Sequence, residues 1–157
     1  MNDQKSTDYS EDLAQLSQFL TYRISRLHGK LNAQASKILR ESVGISLNQW
    51  RMIAFIGGAG KLAASELIGY TGMDKGMVSR NVKTLFELGY VKSKAHETDS
   101  RVHVLSLTRE GRNVFDKALP IMRRRQAHLK AKLSETEIAT FRKVMDDLEI
   151  ASEETDI

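Results

Sequence analysis

Apolar residues recur at helical spacing near the start of the chain, which predicts one long amphipathic helix. Between Glu11 and Leu39 they are separated by steps of three and four and comprise Leu13, Leu16, Leu20, Ile24, Leu27, Leu31, Ala35 and Ile38. A helix of about 30 residues is a rod on the order of 45 Å long, with Ser10 as its N-cap and Gly44 just past its end. Such a rod cannot cover its own apolar stripe within a small globule, so the pattern predicts a partner for it.

Caps and glycines divide the next part of the chain into short helices. Ser46–Gln49 has the spacing of a capping box and opens a predicted helix over Leu47–Ile56, which Gly57-Gly58 closes. A third predicted helix covers Ala63–Tyr70 and breaks at Thr71-Gly72. Two short helices joined by a tight turn are therefore expected in this region.

A fourth helix and a hairpin follow. Asp74 is the predicted N-cap of a helix that runs to Leu88 and stops at Gly89. Two strands are predicted over Tyr90–Lys94 and Val102–Leu107, because they are rich in β-branched or bulky residues. The link between the strands is polar after Ala95 and contains a turn-forming Asp-Ser pair.

Two further helices complete the pattern. Thr108 is the predicted N-cap of the fifth helix, in which Pro120 should kink or divide the chain because it lacks a backbone N–H. Ser134–Glu137 is a second capping box and opens the last helix. The order of elements predicts a mainly α fold with a small β-hairpin, which belongs to the α+β class.

Composition narrows the classes of function. The chain has 157 residues and no Cys, which excludes thiol-based redox sensing and a Cys zinc site. Its four His show no close ligand spacing, and there is no glycine-rich phosphate loop. We therefore expect no enzyme activity, no cofactor and no metal. We also expect a cytoplasmic protein without a membrane partner, because no apolar run approaches the roughly 20 residues of a membrane span and the N-terminus does not resemble a signal peptide.

Charge is distributed unevenly along the chain. Residues 1–20 carry one lysine against four carboxylates, and residues 134–157 carry two basic residues against eight carboxylates. The net charge of +4 therefore leaves +13 on the 113 residues between them. A basic body with acidic ends suits a polyanionic partner, because neutralised phosphates release counterions. Many soluble proteins share such an asymmetry, so charge alone does not decide the function.

The predicted helix Asp74–Leu88 has an apolar side and a polar side. At about 100° per residue, Val78, Val82 and Leu85 cluster on one side. The opposite side carries four candidate base-reading residues, Gly76, Met77, Arg80 and Thr84. Lys75, Ser79 and Lys83 are better placed for phosphate contacts. The alternative is an ordinary surface helix with solvated cations.

Chemistry assigns a role to several of these residues. Arg80 can form bidentate hydrogen bonds with guanine, Met77 can touch a thymine methyl, and Gly76 allows close approach. A helix-turn-helix holds its second helix by one face and offers the other to the major groove. The following hairpin favours this interpretation, because Lys92, Lys94 and Arg101 flank its tip and an Arg there can enter the minor groove.

The chain resembles the MarR family of bacterial regulators from about Asp12 to Leu148. The resemblance is carried by Ala64-Ser65-Glu66-Leu67, the run from Thr71 to Arg80, the run from Leu85 to Val91, Asp99-Ser100-Arg101 and Leu107-Thr108-Arg109-Glu110-Gly111. It implies a homodimer with interleaved terminal helices whose two winged helix-turn-helix lobes read a pseudo-palindromic operator in double-stranded DNA. It also implies that Arg101 enters the minor groove and that Asp99 braces it by a salt bridge. His96 and Thr98 depart from the usual Pro- and Arg-rich wing sequence.

The resemblance further implies release from DNA by a small molecule, often an aromatic acid. A site for a carboxylate needs an aromatic wall and a cation or hydroxyl donor. The nearest such set consists of Tyr22, Arg26, His28, Trp50 and Arg51. The alternative is that Trp50 belongs to the core and the other four lie on the surface.

These expectations define a domain organisation and a function. Residues 10–45 and 109–151 form the predicted dimerisation helices, residues 46–108 the DNA-binding lobe, and residues 1–9 and 152–157 flexible tails. The predicted function is a ligand-responsive repressor of the MarR type. The rival interpretation is a winged-helix protein-interaction module without DNA affinity, whose binding would be insensitive to salt.

Overall fold

The computed structural model describes residues 13–95 and 103–156 of the chain. Its helices are α1 (Leu20–Val43), α2 (Leu47–Ala59), α3 (Glu66–Thr71), α4 (Lys75–Glu87), α5 (Arg109–Lys130) and α6 (Glu135–Ala151). The strands β1 (Leu62–Ala63), β2 (Val91–Ala95) and β3 (His103–Leu107) form an antiparallel sheet in the order β1-β3-β2. This arrangement confirms the predicted fold class. Among the described residues, no helix combines the length and the apolar character needed to cross a membrane.

The chain divides into two compact units, residues 1–118 and residues 119–157. In the described residues, the first unit contains α1 to α4, the sheet and the start of α5, and the second contains the rest of α5 and α6. Pro120 lies inside α5, which continues to Lys130. The proline therefore does not divide the helix, although it cannot donate the hydrogen bond of its turn.

The first helix is shorter than predicted. Residues 13–16 are helical, but residues 17–19 form a turn, and α1 begins only at Leu20. The Ser17 hydroxyl donates a hydrogen bond to the Ala14 carbonyl at 2.7 Å, and Phe19 donates its amide to the carbonyl three residues before it. Side-chain competition and a tightened turn of this kind end a helix. The predicted N-cap, Ser10, lies outside the described residues.

Short-range caps lie where the sequence predicts them. Ser46 and Gln49 form the capping box of α2, with Gln49 donating its amide to the Ser46 hydroxyl at 3.2 Å and Ser46 donating its own to the Gln49 side chain at 2.8 Å. The corresponding box at Ser134 opens α6. Gly44 ends α1 in the left-handed conformation, with φ at 73°. These local signals are confirmed.

The glycine pair in α2 does not end the helix, contrary to the prediction. α2 continues to Ala59. Gly57 lies inside the helix, where the absence of a side chain serves packing rather than a turn. A Cβ there would lie 2.6 Å from Phe115 Cδ2 and 2.9 Å from Leu107 Cδ1. The Gly57 carbonyl also accepts hydrogen bonds from both terminal nitrogens of Arg112, at 3.3 Å each. The absent side chain lets α5 approach α2 closely.

A strand replaces the predicted start of the third helix. Leu62 pairs with Leu105 and Ala63 with Val104, so this segment is β1 rather than helix. Glu66 Oε2 accepts a hydrogen bond from the Ala63 amide at 2.7 Å, and α3 begins only at Glu66. The predicted helix begins at Ala63, which instead continues the strand of the buried Leu62, so the helix starts three residues later than predicted.

The core of the first unit holds α4 by its apolar side. Among the residues that the structure describes, seven large side chains are fully buried, namely Leu39, Met52, Ile53, Ile56, Leu67, Leu85 and Leu105. They come from α1, α2, α3, α4 and β3. Within this core, α4 contacts α2, α3 and β2. This core leaves the polar side of α4 free to face outward.

Candidate nucleic-acid interface

The outward side of α4 presents Arg80 to solvent. Val78 and Leu85 are buried, whereas Arg80 and Gly76 are exposed, as the periodicity predicts. A Cβ at Gly76 would lie 3.4 Å from Arg80 Nη1 and 3.2 Å from Asp74 Oδ1, which caps the helix by accepting the Met77 amide. Gly76 therefore leaves room for the guanidinium along the first turn of α4.

Met77 and Thr84 are less free than Arg80. Met77 is half-buried, and its sulfur accepts a hydrogen bond from Asn48 Nδ2 at 3.8 Å. Thr84 is also half-buried, and its hydroxyl donates to the Arg80 carbonyl at 3.1 Å. Asn48 is not predicted by the sequence, because no local pattern connects a residue on α2 with one on α4.

The candidate phosphate-binding residues surround this surface. Lys75, Ser79 and Lys83 are all exposed on α4. Lys83 lies 3.9 Å from Glu87 one turn later, and both side chains are exposed. Such a solvated ion pair stabilises the protein very little. Lys83 can therefore leave Glu87 and bind a phosphate with little loss of free energy.

The hairpin that follows α4 supplies the wing. Lys94 is exposed on β2 opposite Val104, and Ser93 Oγ lies 3.3 Å from His103 Nδ1 across the two strands. The predicted wing residues His96, Asp99 and Arg101 lie outside the described residues.

The Leu-Thr-x-x-Gly motif, residues 107–111, joins the end of the wing to the end of α4 by hydrogen bonds. Thr108 donates its amide to the Tyr90 carbonyl at 3.0 Å and its hydroxyl to the Gly89 carbonyl at 2.6 Å. The same hydroxyl accepts the Gly111 amide at 3.0 Å and so caps α5, as predicted. A Cβ at Gly111 would overlap the Tyr90 carbonyl oxygen and lie 2.8 Å from its carbon. Only glycine allows this close approach of backbones.

The five candidate effector residues occupy three different environments. Trp50 is buried, with 7% of its surface exposed, and stacks on Phe115 at 6.1 Å between ring centroids. Arg51 Nη2 donates to Asn32 Oδ1 at 3.0 Å, and Asn32 Nδ2 lies 3.0 Å from His28 Nε2.

The remaining two effector candidates lie elsewhere on α1. Tyr22 and Arg26 are exposed and line a shallow cavity of about 370 Å³ together with Arg23 and Lys30. The structure therefore joins His28 and Arg51 through Asn32, and it assembles no single pocket from the five residues within the described part of the chain.

Comparison with known proteins places this geometry in a family. The sequence model of the MarR family matches residues 43–102. The HTH-type transcriptional regulator BilQ of Clostridium symbiosum is 33% identical over 75 residues, which cover 48% of this chain and 52% of BilQ. A solved MarR/EmrR family transcriptional regulator from Acinetobacter sp. ADP1 superposes with a TM-score of 0.78 at 26% identity, covering 86% of this chain and 95% of that one. Residues 43–102 of the chain are therefore a MarR-family segment, and the fold of the described chain is that of a MarR/EmrR family regulator.

A second solved MarR-family structure extends the comparison. The transcriptional regulator MOSR of M. tuberculosis, in complex with DNA, has a TM-score of 0.71 and 26% identity, covering 87% of this chain and 97% of that one. The match to BilQ, by contrast, spans about half the length of that curated relative. Structural agreement over 86–87% of the chain therefore accompanies a sequence agreement centred on residues 43–102.

Proposed function

We propose that this protein is a sequence-specific DNA-binding transcriptional regulator of the MarR family and not an enzyme. The observation that carries the proposal is α4 itself: buried Val78 and Leu85 hold it, while Arg80 faces solvent between a tight turn and a hairpin. A helix held in this way fits the major groove of duplex DNA. The likeness to MOSR, which was solved on DNA, supports the proposal. A regulator with this partner acts in the cytoplasm.

The proposed contacts divide into base reading and positioning. Arg80 reads guanine, and Met77, Gly76 and Thr84 complete the base-reading surface. Lys75, Ser79 and Lys83 hold the phosphates, which fixes the register of the helix without reading sequence. In the wing, Arg101 enters the minor groove, Asp99 orients its guanidinium, and Lys94 and His96 flank the tip.

The apolar surface that the described chain leaves uncovered supports a homodimer. On α1 and the turn before it, the exposed large apolar side chains are Leu13, Leu16, Phe19, Leu20, Tyr22, Ile24 and Leu27. In the second unit, Leu133, Phe141, Val144 and Ile150 are also exposed, and none of the described residues of α6 is buried. Monomeric proteins rarely expose such contiguous stripes. A twofold partner covers them and presents two lobes to a pseudo-palindrome.

The dimer can be tested with a matched pair of variants. Ile24, on the apolar stripe of α1, is 41% exposed, and Tyr70, on the lobe, is 58% exposed. Ile24→Glu should weaken dimerisation in sedimentation experiments, because it buries a charge in the contact, whereas Tyr70→Glu should not. A wild-type chain that sediments as a folded monomer would remove the dimer from the proposal.

Regulation is proposed to be repression relieved by a small, aromatic, carboxylate-bearing effector. The Arg51–Asn32–His28 chain links α1 with α2, so an anion bound at Arg51 would alter the contact between a dimerisation helix and the lobe. A ligand that favours a lobe spacing mismatched to the operator releases DNA by shifting populations. Titrating aromatic acids into the operator complex tests this part separately.

The decisive experiment is selection of bound duplexes from random DNA, followed by titration of the recovered operator over a range of salt concentrations. With 6–10 phosphate contacts, affinity should fall by roughly 10³–10⁵ between 50 and 200 mM salt. A protein-interaction module predicts no enrichment and no retention on DNA at low salt. That outcome would reject the proposed function.

A further inference from the structure

The wing sheet has an outer face of which only Lys94, beside the wing tip, belongs to the contacts proposed above. β2 alternates between its two sides, so the buried Val91 faces the core and Lys92 and Lys94 face outward. Lys92 lies opposite Ser106 on β3, and Lys61 precedes β1 at the far edge of the sheet. We call the surface formed by Lys61, Lys92, Lys94 and Ser106 the outer sheet face. It lines a concave space of about 760 Å³.

The outer sheet face is strongly cationic. Three ammonium groups line it against one carboxylate, Glu66. The Glu66 side chain is engaged by the Ala63 amide at 2.7 Å, and within the described residues none of the three lysines forms an ion pair. The lysines are all exposed. Three cations against one carboxylate leave this face with a net positive charge, which attracts an anionic partner.

We propose that the outer sheet face binds the phosphate backbone of duplex DNA beyond the half-site that α4 reads. This inference rests on the proposed function and deepens it. α4 contacts β2, and the buried Val91 faces the core, so Lys92 and Lys94 project from the opposite side of the sheet and are not part of the α4 surface. β2 leads directly into the wing tip, which makes the outer face continuous with the proposed interface.

The type of residue sets the type of contact. Lysine is a compact point charge on a flexible stem, which suits phosphates and carries no sequence information. The outer sheet face therefore lengthens the footprint on flanking DNA of any sequence, and each lobe of a dimer contributes one such face. An acidic protein partner is the competing occupant, and it predicts that flanking DNA adds nothing.

The test compares two duplexes with the intact chain. One carries the selected operator alone, and the other carries the same operator with about one helical turn of random DNA on each side. Wild-type protein should bind the flanked duplex more tightly and with a steeper dependence on salt. In Lys61→Gln/Lys92→Gln, four lysines are lost per dimer, so the salt slope on the flanked duplex should fall by about 3 to 4. The affinity ratio between the two duplexes should then move towards one.

Matched variants separate this contact from overall charge. Lys61→Arg/Lys92→Arg should keep the gain from the flanks, because it keeps the charge. Lys117→Gln/Lys132→Gln removes the same charge from exposed positions outside the outer sheet face and should also keep it. Loss of the gain in that control, or its survival in Lys61→Gln/Lys92→Gln, would overturn the proposal.

The two levels of the proposal fail in different ways. If the wild type binds the short duplex and gains nothing from the flanks, the outer sheet face does not contact DNA, and the proposed function stands. If the wild type binds neither duplex, both are wrong.

Discussion

Replacing Gly111 by alanine should disrupt the junction between the wing and α4. The added Cβ would overlap the Tyr90 carbonyl oxygen and lie 2.8 Å from the carbonyl carbon and 3.1 Å from Cα. These atoms belong to the backbone and cannot rotate away as a side chain can. The first turn of α5 and the residues joining α4 to β2 must therefore move apart.

The size of the effect follows from the bonds at this junction. Separation strains two hydrogen bonds that Thr108 donates. Its amide donates to the Tyr90 carbonyl at 3.0 Å, and its hydroxyl donates to the Gly89 carbonyl at 2.6 Å. Each contributes about 0.5–1.5 kcal/mol, and forced repacking adds about 1–3 kcal/mol. Alanine regains about 1 kcal/mol of helix propensity in α5. The free energy of unfolding should fall by about 3 kcal/mol, which corresponds to roughly 10 °C in Tm for a chain of this size.

Thermal and urea unfolding of Gly111→Ala measure this loss, with Gly58→Ala as the control. Gly58 also lies within a helix, but nothing is within 4 Å of a Cβ built there, so the same substitution should stabilise the protein slightly. Operator affinity measured well below Tm should fall in Gly111→Ala alone, because the wing strand is displaced. A Gly111→Ala protein with wild-type Tm would refute the close-approach argument.

Other predictions concern single contacts. Arg80→Ala should cost about 1–3 kcal/mol of operator discrimination, measured by titration of operator and random duplexes; an equal loss on both would contradict base reading. Arg101→Ala should weaken operator binding in gel-shift titrations, and unchanged affinity would count against the wing contact. Hydrogen bonds from the Ser134 amide and hydroxyl lower the pKa of Glu137. This cap therefore stabilises α6 above about pH 4.3, and the stabilisation is lost as pH falls through the lowered pKa. An NMR titration of the Ser134 amide should follow that step, and a flat profile would exclude it.

Structural features that depend on residues close together in the chain were predicted correctly. The Ser46 capping box and the left-handed Gly44 are local, since each involves a partner within five residues. The division of α4 into a buried side with Val78 and an exposed side with Arg80 also follows from periodicity alone. Local spacing is enough because these features depend on one helix and its immediate ends.

Features that depend on distant partners were not predicted. Leu62 is in a strand because it pairs with Leu105, and α2 passes through Gly57 because Phe115 packs there. The same limit applies to the candidate site. The bond from Asn48 to Met77 crosses two elements, and no spacing in the chain connects them. The break in the first helix at residues 17–19 has a local cause instead. There the hydrogen bond from the Ser17 hydroxyl to the Ala14 carbonyl competes with the helix that the apolar stripe predicts.

The most specific part of the resemblance is the Asp-x-Arg wing followed by Leu-Thr-x-x-Gly, and the second of these motifs is required by close packing of backbones. Thr108 alone ends the wing, caps α5 and bonds the carbonyls of Gly89 and Tyr90. Gly111 is required by the same contact. Such a junction constrains residue identity whatever DNA is read or ligand is bound. The motif therefore identifies the fold and the placement of the wing, whereas the proposed base reading rests on Arg80 and its neighbours, which are exposed and where the fold imposes far weaker constraints.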